Sequence, residues 1–314
     1  LSHYKHRRWL PLIFAASLVP PDKEESFKEQ LIPGLVMHPV YHRHYPGGAS
    51  AAHIIGYVRS KGRLPNGPIV HGDLLFEDTY GDAGLEKTMD QELTGRPGER
   101  KVIFDSGGRK LRDELTRRPR IGHTVVTTFN LDWQRHAEKV LRDHCKRGAF
   151  VVIDIPTGEV LVLASRPSYD INIWIPRISN EELKTLTDDE SRPMFGRAFQ
   201  GLYPPASSFK PVVALTALTG KVVEEWTEID CPDYIEVGRR PPAKMWNWTR
   251  EPEGLMNVTR AIARSNNCWF YQVGIKTGPS AFLSAARRLG YGSRSGLPLF
   301  GESSGRVPTN EYVL

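Results

Sequence analysis

Cysteine is scarce in this sequence. Only three occur in 314 residues, Cys145, Cys231 and Cys268. They are scattered, with no CxxC pair and no metal-knuckle spacing, so a disulfide framework is excluded and the compartment stays open. Long apolar runs are missing too. The longest, Trp9 to Val19, is shorter than the roughly 18–20 residues of a membrane helix. Pro11 and Ser17 interrupt it, and it predicts an edge strand at Trp9–Ile13. No internal repeat and no low-complexity tract is present. The chain opens on Leu1 rather than Met, so its true N-terminus is expected to lie further upstream, and the absence of a signal or anchor excludes nothing.

Acidic charge is in deficit. Lysine and arginine number 42 against 36 acidic residues, a net charge of +6 and a pI near 9.2. Much of the surplus lies between Arg96 and Arg120, ending in Arg117-Arg118-Pro119-Arg120. No aromatic residues interleave with that run as a single-strand platform requires. A solvated basic face is expected there, and nucleic acid is not expected as a partner. Hydrophobic content of 39% and charged content of 25% are ordinary for a globular chain, and the length suits about two domains.

The stretch with most chemistry is Tyr203-Pro204-Pro205-Ala206-Ser207-Ser208-Phe209-Lys210-Pro211. Two prolines halt what precedes it. Apolar Phe209, Val212, Val213 and Leu215 then predict a helix that Gly220 closes. Pro211 falls in its first turn, where a missing N–H costs little. Ser207 and Lys210 lie three apart and share a face. A lysine so placed can take the hydroxyl's proton if burial suppresses its own charge. This is the Ser-x-x-Lys arrangement of penicillin-interacting acyltransferases.

Before that stretch the pattern predicts a short helix opening at Pro21, an extended segment over 35–45 and a turn at Tyr45-Pro46-Gly47-Gly48. A tightly packed small-residue segment, 50–58, contains His53, which reads as a structural histidine. Residues 60–83 predict a loop, and Gly84–Leu93 a helix. Gly95-Arg96-Pro97-Gly98 is a turn rather than a phosphate loop, since no buried strand precedes it. Glu99–Phe104 and the return from Lys110 predict a hairpin, and the Arg/Pro run a domain boundary. Beyond it, Thr124–Thr128 predicts a strand. Asn130 caps a helix with a stripe at Trp133, Ala137, Val140 and Leu141. Two apolar strands follow, 149–154 and 159–164, both expected to be covered on both faces. Residues 229–253 look less regular.

Asn257 then caps a helix leading into Arg264-Ser265-Asn266-Asn267. Ser265-x-Asn267 is the second element that acyl transfer needs. Its hydroxyl can relay a proton to a leaving amine, and its amide can hold a substrate backbone. A third element, Lys-Thr/Ser-Gly on an edge strand, is spelled by Lys276-Thr277-Gly278. Its closeness to Asn267 and the following Pro279 make it a turn between helices instead.

Together these residues carry a family resemblance. The chain resembles the class B penicillin-binding proteins, specifically the elongation type, penicillin-binding protein 2. The resemblance rests on Tyr45–Gly48 with Ala51–Val58, on Gly84-Leu85-Glu86-Lys87 with Asp90, Leu93, Gly95, Gly98, Asp105 and Gly108-Arg109, on Gln200–Pro211, and on Ser265–Asn267 with Phe270-Tyr271-Gln272. Cys231-Pro232 and Trp246 also fit. Three departures stand out. Ala206 replaces a usual glycine, Met245 a cysteine often found before Trp246, and Glu253-Gly254 a His-Gly pair.

The resemblance implies an α+β fold. A mixed α/β pedestal of the dimerisation type, residues 1–120, precedes a transpeptidase domain, residues 121–314, with helices packed on an antiparallel sheet and its C-terminal part lying beyond residue 314. It implies a serine-type D-Ala-D-Ala transpeptidase or carboxypeptidase. Ser207 is its nucleophile, Lys210 its base, Ser265 its proton relay, and Asn267 holds substrate with Ser207. No cofactor and no metal is implied. The implied partners are stem peptides ending in D-Ala-D-Ala, β-lactam antibiotics and a membrane glycan polymerase. A membrane helix before residue 1 would place this span in the periplasm, single-pass from the inner membrane. The span alone is expected to be inactive and to expose a sheet edge. Two other functions use the same residues differently: a β-lactamase or penicillin sensor, and a non-catalytic pedestal scaffold.

Overall fold

The structure is a computed structural model, and it describes residues 23–30, 43–61, 78–106, 109–175, 177–238 and 241–309. The edge strand expected at Trp9–Ile13 and most of the extended segment expected over 35–45 lie outside the described residues. The chain forms two compact units. One comprises Leu1–Gln200 with Pro298–Gly301, the other Gly201–Leu297 with Glu302–Leu314.

In the first unit, helix α1 (Glu24–Glu29) is the expected helix after Pro21. The turn at Tyr45 closes with Gly48 N–H donating to Tyr45 O at 3.0 Å. One helical turn, α2 (Ala52–Ile55), leads to strand β1 (Val58–Lys61), which pairs antiparallel with β2 (Asp78–Gly81). The ends of the loop expected over 60–83 thus form a hairpin. Their letters show no apolar run, because backbone pairing rather than side-chain burial joins them. The helix expected over 84–93 is two, α3 (Gly84–Thr88) and α4 (Asp90–Leu93), broken at Met89. Asp90 Oδ1 accepts from Gly81 N–H at 2.8 Å, which ties the break to β2. Gly56 and Gly84 both take left-handed φ, 77° and 55°. A Cβ on Gly84 would lie 2.5 Å from Gly56 N, so the two backbones meet only as glycines.

Strands β3 (Glu99–Phe104) and β4 (Lys110–Arg117) form the expected hairpin. No strand forms at 124–128. Thr128 instead donates its hydroxyl to Val160 O at 2.7 Å, and Asn130 N–H donates to Leu161 O. Helix α5 (Leu131–His144) starts where expected, with Asn130 Oδ1 accepting from Trp133 N–H at 3.0 Å. Its buried face is rotated from the expected one. Gln134, Ala137 and Leu141 are buried, and Trp133 is exposed. The Gln134 amide explains this: its Oε1 accepts Leu163 N–H at 2.9 Å and its Nε2 donates to Glu138 Oε1 at 2.8 Å. A fully paired amide buries readily.

Strands β5 (Gly148–Ile153) and β6 (Val160–Arg166) pair antiparallel. Val162, Leu163 and Ala164 of β6 are buried, as expected. Phe150, Val151 and Ile153 of β5 are exposed, contrary to expectation. Helix α6 (Asn180–Asp188) begins with a Ser179–Glu182 capping box, and α7 (Arg197–Gln200) ends the unit. The core joins Tyr45, Ala52, Tyr57, Tyr169, Ile171 and Trp174. Tyr57 stacks on Trp174 at 3.7 Å and 4°.

In the second unit a 3-10 turn, Ala206–Phe209, runs into helix α8 (Lys210–Thr219). Pro211 sits in the first turn of α8 and Gly220 follows its end. The stretch expected to be less regular holds three short strands, and a fourth follows it directly. These are β7 (Ile229–Cys231), β8 (Tyr234–Val237), β9 (Ala243–Trp246) and β10 (Gly254–Met256), paired β7 with β10 and β8 with β9. Helix α9 (Val258–Arg264) is capped by Asn257, as expected, and α10 (Asn267–Thr277) and α11 (Pro279–Arg288) follow. Trp269, Met256, Ala217, Ala261, Val273, Cys231 and Cys268 are the deepest side chains of the core. Trp269 Nε1 donates to Met256 O at 3.0 Å, which fixes α10 on β10.

Candidate active site

Two chain segments meet at the start of α8 and the start of α10. Ser207 lies exposed in the 3-10 turn. Lys210 opens α8 one turn later and is half-buried. Ser265 ends α9 in a left-handed conformation, φ 51° and ψ 38°, which also turns the chain into α10. Asn267 is the first residue of α10. The four residues predicted from sequence are therefore brought together.

Their hydrogen bonds form one chain. Lys210 Nζ donates to Ser265 O at 2.6 Å, to Ser265 Oγ at 2.9 Å and to Asn267 Oδ1 at 2.8 Å. Ser265 Oγ donates to Ser207 Oγ at 3.1 Å. Ser207 and Lys210 are thus connected through Ser265 rather than directly. Burial alone pushes the Lys210 amine below its usual range, since desolvation disfavours the ammonium. The Phe270 ring lies 5.4 Å from Nζ and covers it on one side. In the turn around Ser207, Ser208 N–H donates to Pro205 O at 3.1 Å; the N–H groups before it precede the first intrahelical bond, as at any helix start.

Asn267 is itself held. Its Nδ2 donates to Trp246 O at 3.2 Å, and its N–H donates to Asn247 Oδ1 at 2.9 Å. Asn247, buried in the loop after β9, is not marked as a site residue by the sequence, and its partner Glu253 stands out there only in the departure from a His-Gly pair. Neither belongs to a spaced motif: Asn247 is carried by the β8–β9 pair, its N–H donating to Asp233 O at 2.7 Å, and Glu253 by the β7–β10 pair, its N–H donating to Cys231 O at 2.9 Å. Lys276-Thr277-Gly278 lies at the far end of α10, where Gly278 is the C-cap with φ 79°. The expected break between helices is there, but it is Gly278 alone: Lys276 and Thr277 are the last residues of α10 and α11 begins at Pro279. His53 is buried in the first unit, with Nε2 2.7 Å from Pro193 O. A carbonyl only accepts, so Nε2 carries the proton and the histidine is structurally satisfied.

Among the described residues no group of three His, Cys, Asp or Glu side chains is gathered to hold a metal ion. Cys231 and Cys268 are buried and free. Burial, with Cys268 nearby, pushes the Cys231 thiol up to about 12, so neither a thiolate ligand nor a reactive nucleophile is favoured there.

Residues 148–314 match the penicillin binding protein transpeptidase domain, and residues 12–127 match the penicillin-binding protein dimerisation domain. The chain belongs to the class B penicillin-binding proteins, of the MrdA type. Among its relatives is the peptidoglycan D,D-transpeptidase MrdA of Escherichia coli K12, 33% identical over 291 residues, 89% of this chain and 44% of the relative. MrdA of Haemophilus influenzae is 32% identical over 289 residues, 89% of this chain and 43% of the relative. The chain thus spans less than half the length of these relatives. Penicillin-binding protein 2 of Pseudomonas aeruginosa, solved in complex with WCK 5153, superposes with a TM-score of 0.70 at 31% identity, covering 88% of this chain and 57% of that one. The Helicobacter pylori protein in its complex with MreC gives a TM-score of 0.77 at 28% identity, covering 94% and 54%.

As in other class B penicillin-binding proteins of this type, a dimerisation domain precedes a transpeptidase domain built of helices and antiparallel strands. The glycine usual in the family at the Ala206 position has a physical reason here: Ala206 sits at φ 48°, a left-handed conformation that glycine adopts without a Cβ clash. No helix among the described residues is long and apolar enough to cross a membrane.

Proposed function

We propose that this chain supplies the nucleophile-bearing part of a D,D-transpeptidase that cross-links peptidoglycan stem peptides during cell elongation. Residues 1–120 serve as the pedestal, and residues 121–314 begin the transpeptidase domain. The observation that carries this reading is the unbroken hydrogen-bond chain from Ser207 Oγ through Ser265 Oγ to Lys210 Nζ. In the resting arrangement Lys210 donates to Ser265 and Ser265 to Ser207; with Lys210 neutral the two bonds reverse, and Lys210 accepts the proton of Ser265 as Ser265 accepts that of Ser207. Ser207 Oγ then bonds to the carbonyl carbon of the penultimate D-Ala. The carbon–nitrogen bond to the terminal D-Ala breaks, and the amine leaves with the proton returned along the same route. An amine of a neighbouring stem peptide attacks the acyl-enzyme and restores Ser207. Asn267 holds the donor peptide, and the Ser207 N–H contributes to the oxyanion hole. A β-lactam follows the first step and stays on Ser207.

In this reading the whole protein is membrane-anchored, faces the periplasm and works beside a membrane glycan polymerase. The test is intact-mass spectrometry of the protein at the full length of its relatives after exposure to benzylpenicillin. One adduct of penicillin mass, mapping to Ser207 and lost in Ser207→Ala, is expected. Rapid penicillin turnover with no lasting adduct would favour a β-lactamase, and labelling that survives Ser207→Ala would sink the assignment.

A further inference from the structure

Four N–H donors converge on one carboxylate behind the site. Glu253 lies in the loop between β9 and β10, its side chain only 10% exposed. Its Oε1 accepts from Arg264 Nε at 2.9 Å and Nη2 at 2.6 Å. Its Oε2 accepts from Asn266 Nδ2 at 2.7 Å and Asn247 Nδ2 at 3.0 Å. Its own N–H donates to Cys231 O at 2.9 Å, which ties the backbone to β7. An ionised carboxylate offers about four lone-pair sites, so this anion is fully satisfied. Burial works to raise its pKa, but the bonds from Asn266, Arg264 and Asn247 outweigh it and hold the carboxyl below its usual range.

Each donor leads into Ser265–Asn267. Arg264 immediately precedes Ser265. Asn266 is fully buried, and with Nδ2 aimed at Glu253 its Oδ1 accepts Trp269 N–H at 2.8 Å and caps α10. Asn247 aims Nδ2 at Glu253 and at Thr249 Oγ1, so its Oδ1 faces Asn267 N–H. An amide side chain donates at one end and accepts at the other. The carboxylate therefore decides which way both amides point, and through them where Asn267 Oδ1 and Ser265 O meet Lys210. The Ser265 backbone sits in a left-handed conformation that costs energy for a non-glycine residue, so a turn of this kind needs outside support.

We infer that Glu253 is a positioning residue for acyl transfer: its carboxylate sets the Ser265–Asn267 turn against Lys210. The inference rests on the reading of that turn as part of a transpeptidase site, but its structural half can be measured without activity. Glu253→Gln keeps the shape and puts a donor among donors. Glu253→Asp keeps the anion but is one methylene too short to reach both pairs. Amide hydrogen exchange is followed residue by residue in the full chain. Second-order acylation by benzylpenicillin is measured on the protein at the full length of its relatives and resolved into its maximal rate and its dissociation constant.

In Glu253→Gln, exchange at Asn267 and Trp269 N–H should rise at least tenfold, while α8 and β6 stay within twofold of wild type. The maximal acylation rate should fall about tenfold or more, with the dissociation constant moving less than threefold. Glu253→Asp should fall between, and it replaces the Gln variant if that one does not fold. Unchanged exchange at Asn267 and Trp269, or an equal rise through the whole unit, overturns the inference. Selective exchange with no acylation even in wild type would leave Glu253 as the organiser of the turn and count against the transpeptidase reading alone.

Discussion

Ala206 holds a left-handed φ of 48° directly before the candidate nucleophile. For an L-residue this conformation costs roughly 1–2 kcal/mol. Glycine would remove that cost and return about 0.4–1 kcal/mol of it through the freer unfolded chain. Ala206→Gly is therefore expected to stabilise the fold by about 0.5–1 kcal/mol, a Tm rise of roughly 1–4 °C. Scanning calorimetry checks it, and a lower Tm would show that the 3-10 turn depends on the methyl group. Ser265 takes the same conformation at φ 51° but has no such freedom, because its Oγ lies between Ser207 and Lys210.

Helix α2 is a single turn, too short to stand by itself. It is held by His53, whose Nε2–H bonds to Pro193 O and whose ring meets Tyr169 edge-on at 5.7 Å. Burial, reinforced by Arg197 but opposed by the Pro193 bond and by Glu138, lowers the His53 pKa below its ordinary 6.5. The unfolded chain takes up the proton first as pH falls, so His53's contribution is intact above about pH 6.5 and is lost as pH falls toward the folded-state value. His53→Gln can keep the bond to Pro193 without titrating. Thermal melts across this range should show wild type losing Tm more steeply than His53→Gln below pH 6.5. Parallel curves would mean that α2 is not held by a neutral histidine.

For the chain as a whole, β5 is the exposed flank. It pairs with β6 on one side only among the described residues, and Phe150, Val151 and Ile153 stay open to solvent. An apolar strand with an unpaired edge is a template for association. The 314-residue chain is expected to self-associate over a concentration series in light scattering. Val151→Lys, a charge placed on that strand, should reduce the effect with little change in Tm. A monomer at every concentration would show that the flank is harmless.

Much of this was legible in the letters. Helix starts at Asn130, Asn257 and Lys210 and the stops at Gly220 and Gly278 are local events, decided by caps and backbone freedom within a turn. So are the β3–β4 and β5–β6 hairpins, whose strands and turns are contiguous in sequence. The residues of the candidate site were readable because Ser207 with Lys210, and Ser265 with Asn267, each sit within one turn. What the letters could not decide involves partners distant in sequence. No strand formed at 124–128, where Thr128 reaches the backbone carbonyl of Val160 with its hydroxyl rather than with its N–H. Gln134 displaced Trp133 from the core because Leu163 offered it a bond. Glu253 reached the site because β7 pairs with β10, and Asn247 because β8 pairs with β9. The sequence by itself determined which residues could do acyl chemistry and which turns would carry them. Only the tertiary structure decided that Ser265 stands between Ser207 and Lys210, since hydrogen-bond reach across separate elements depends on packing that no local pattern encodes.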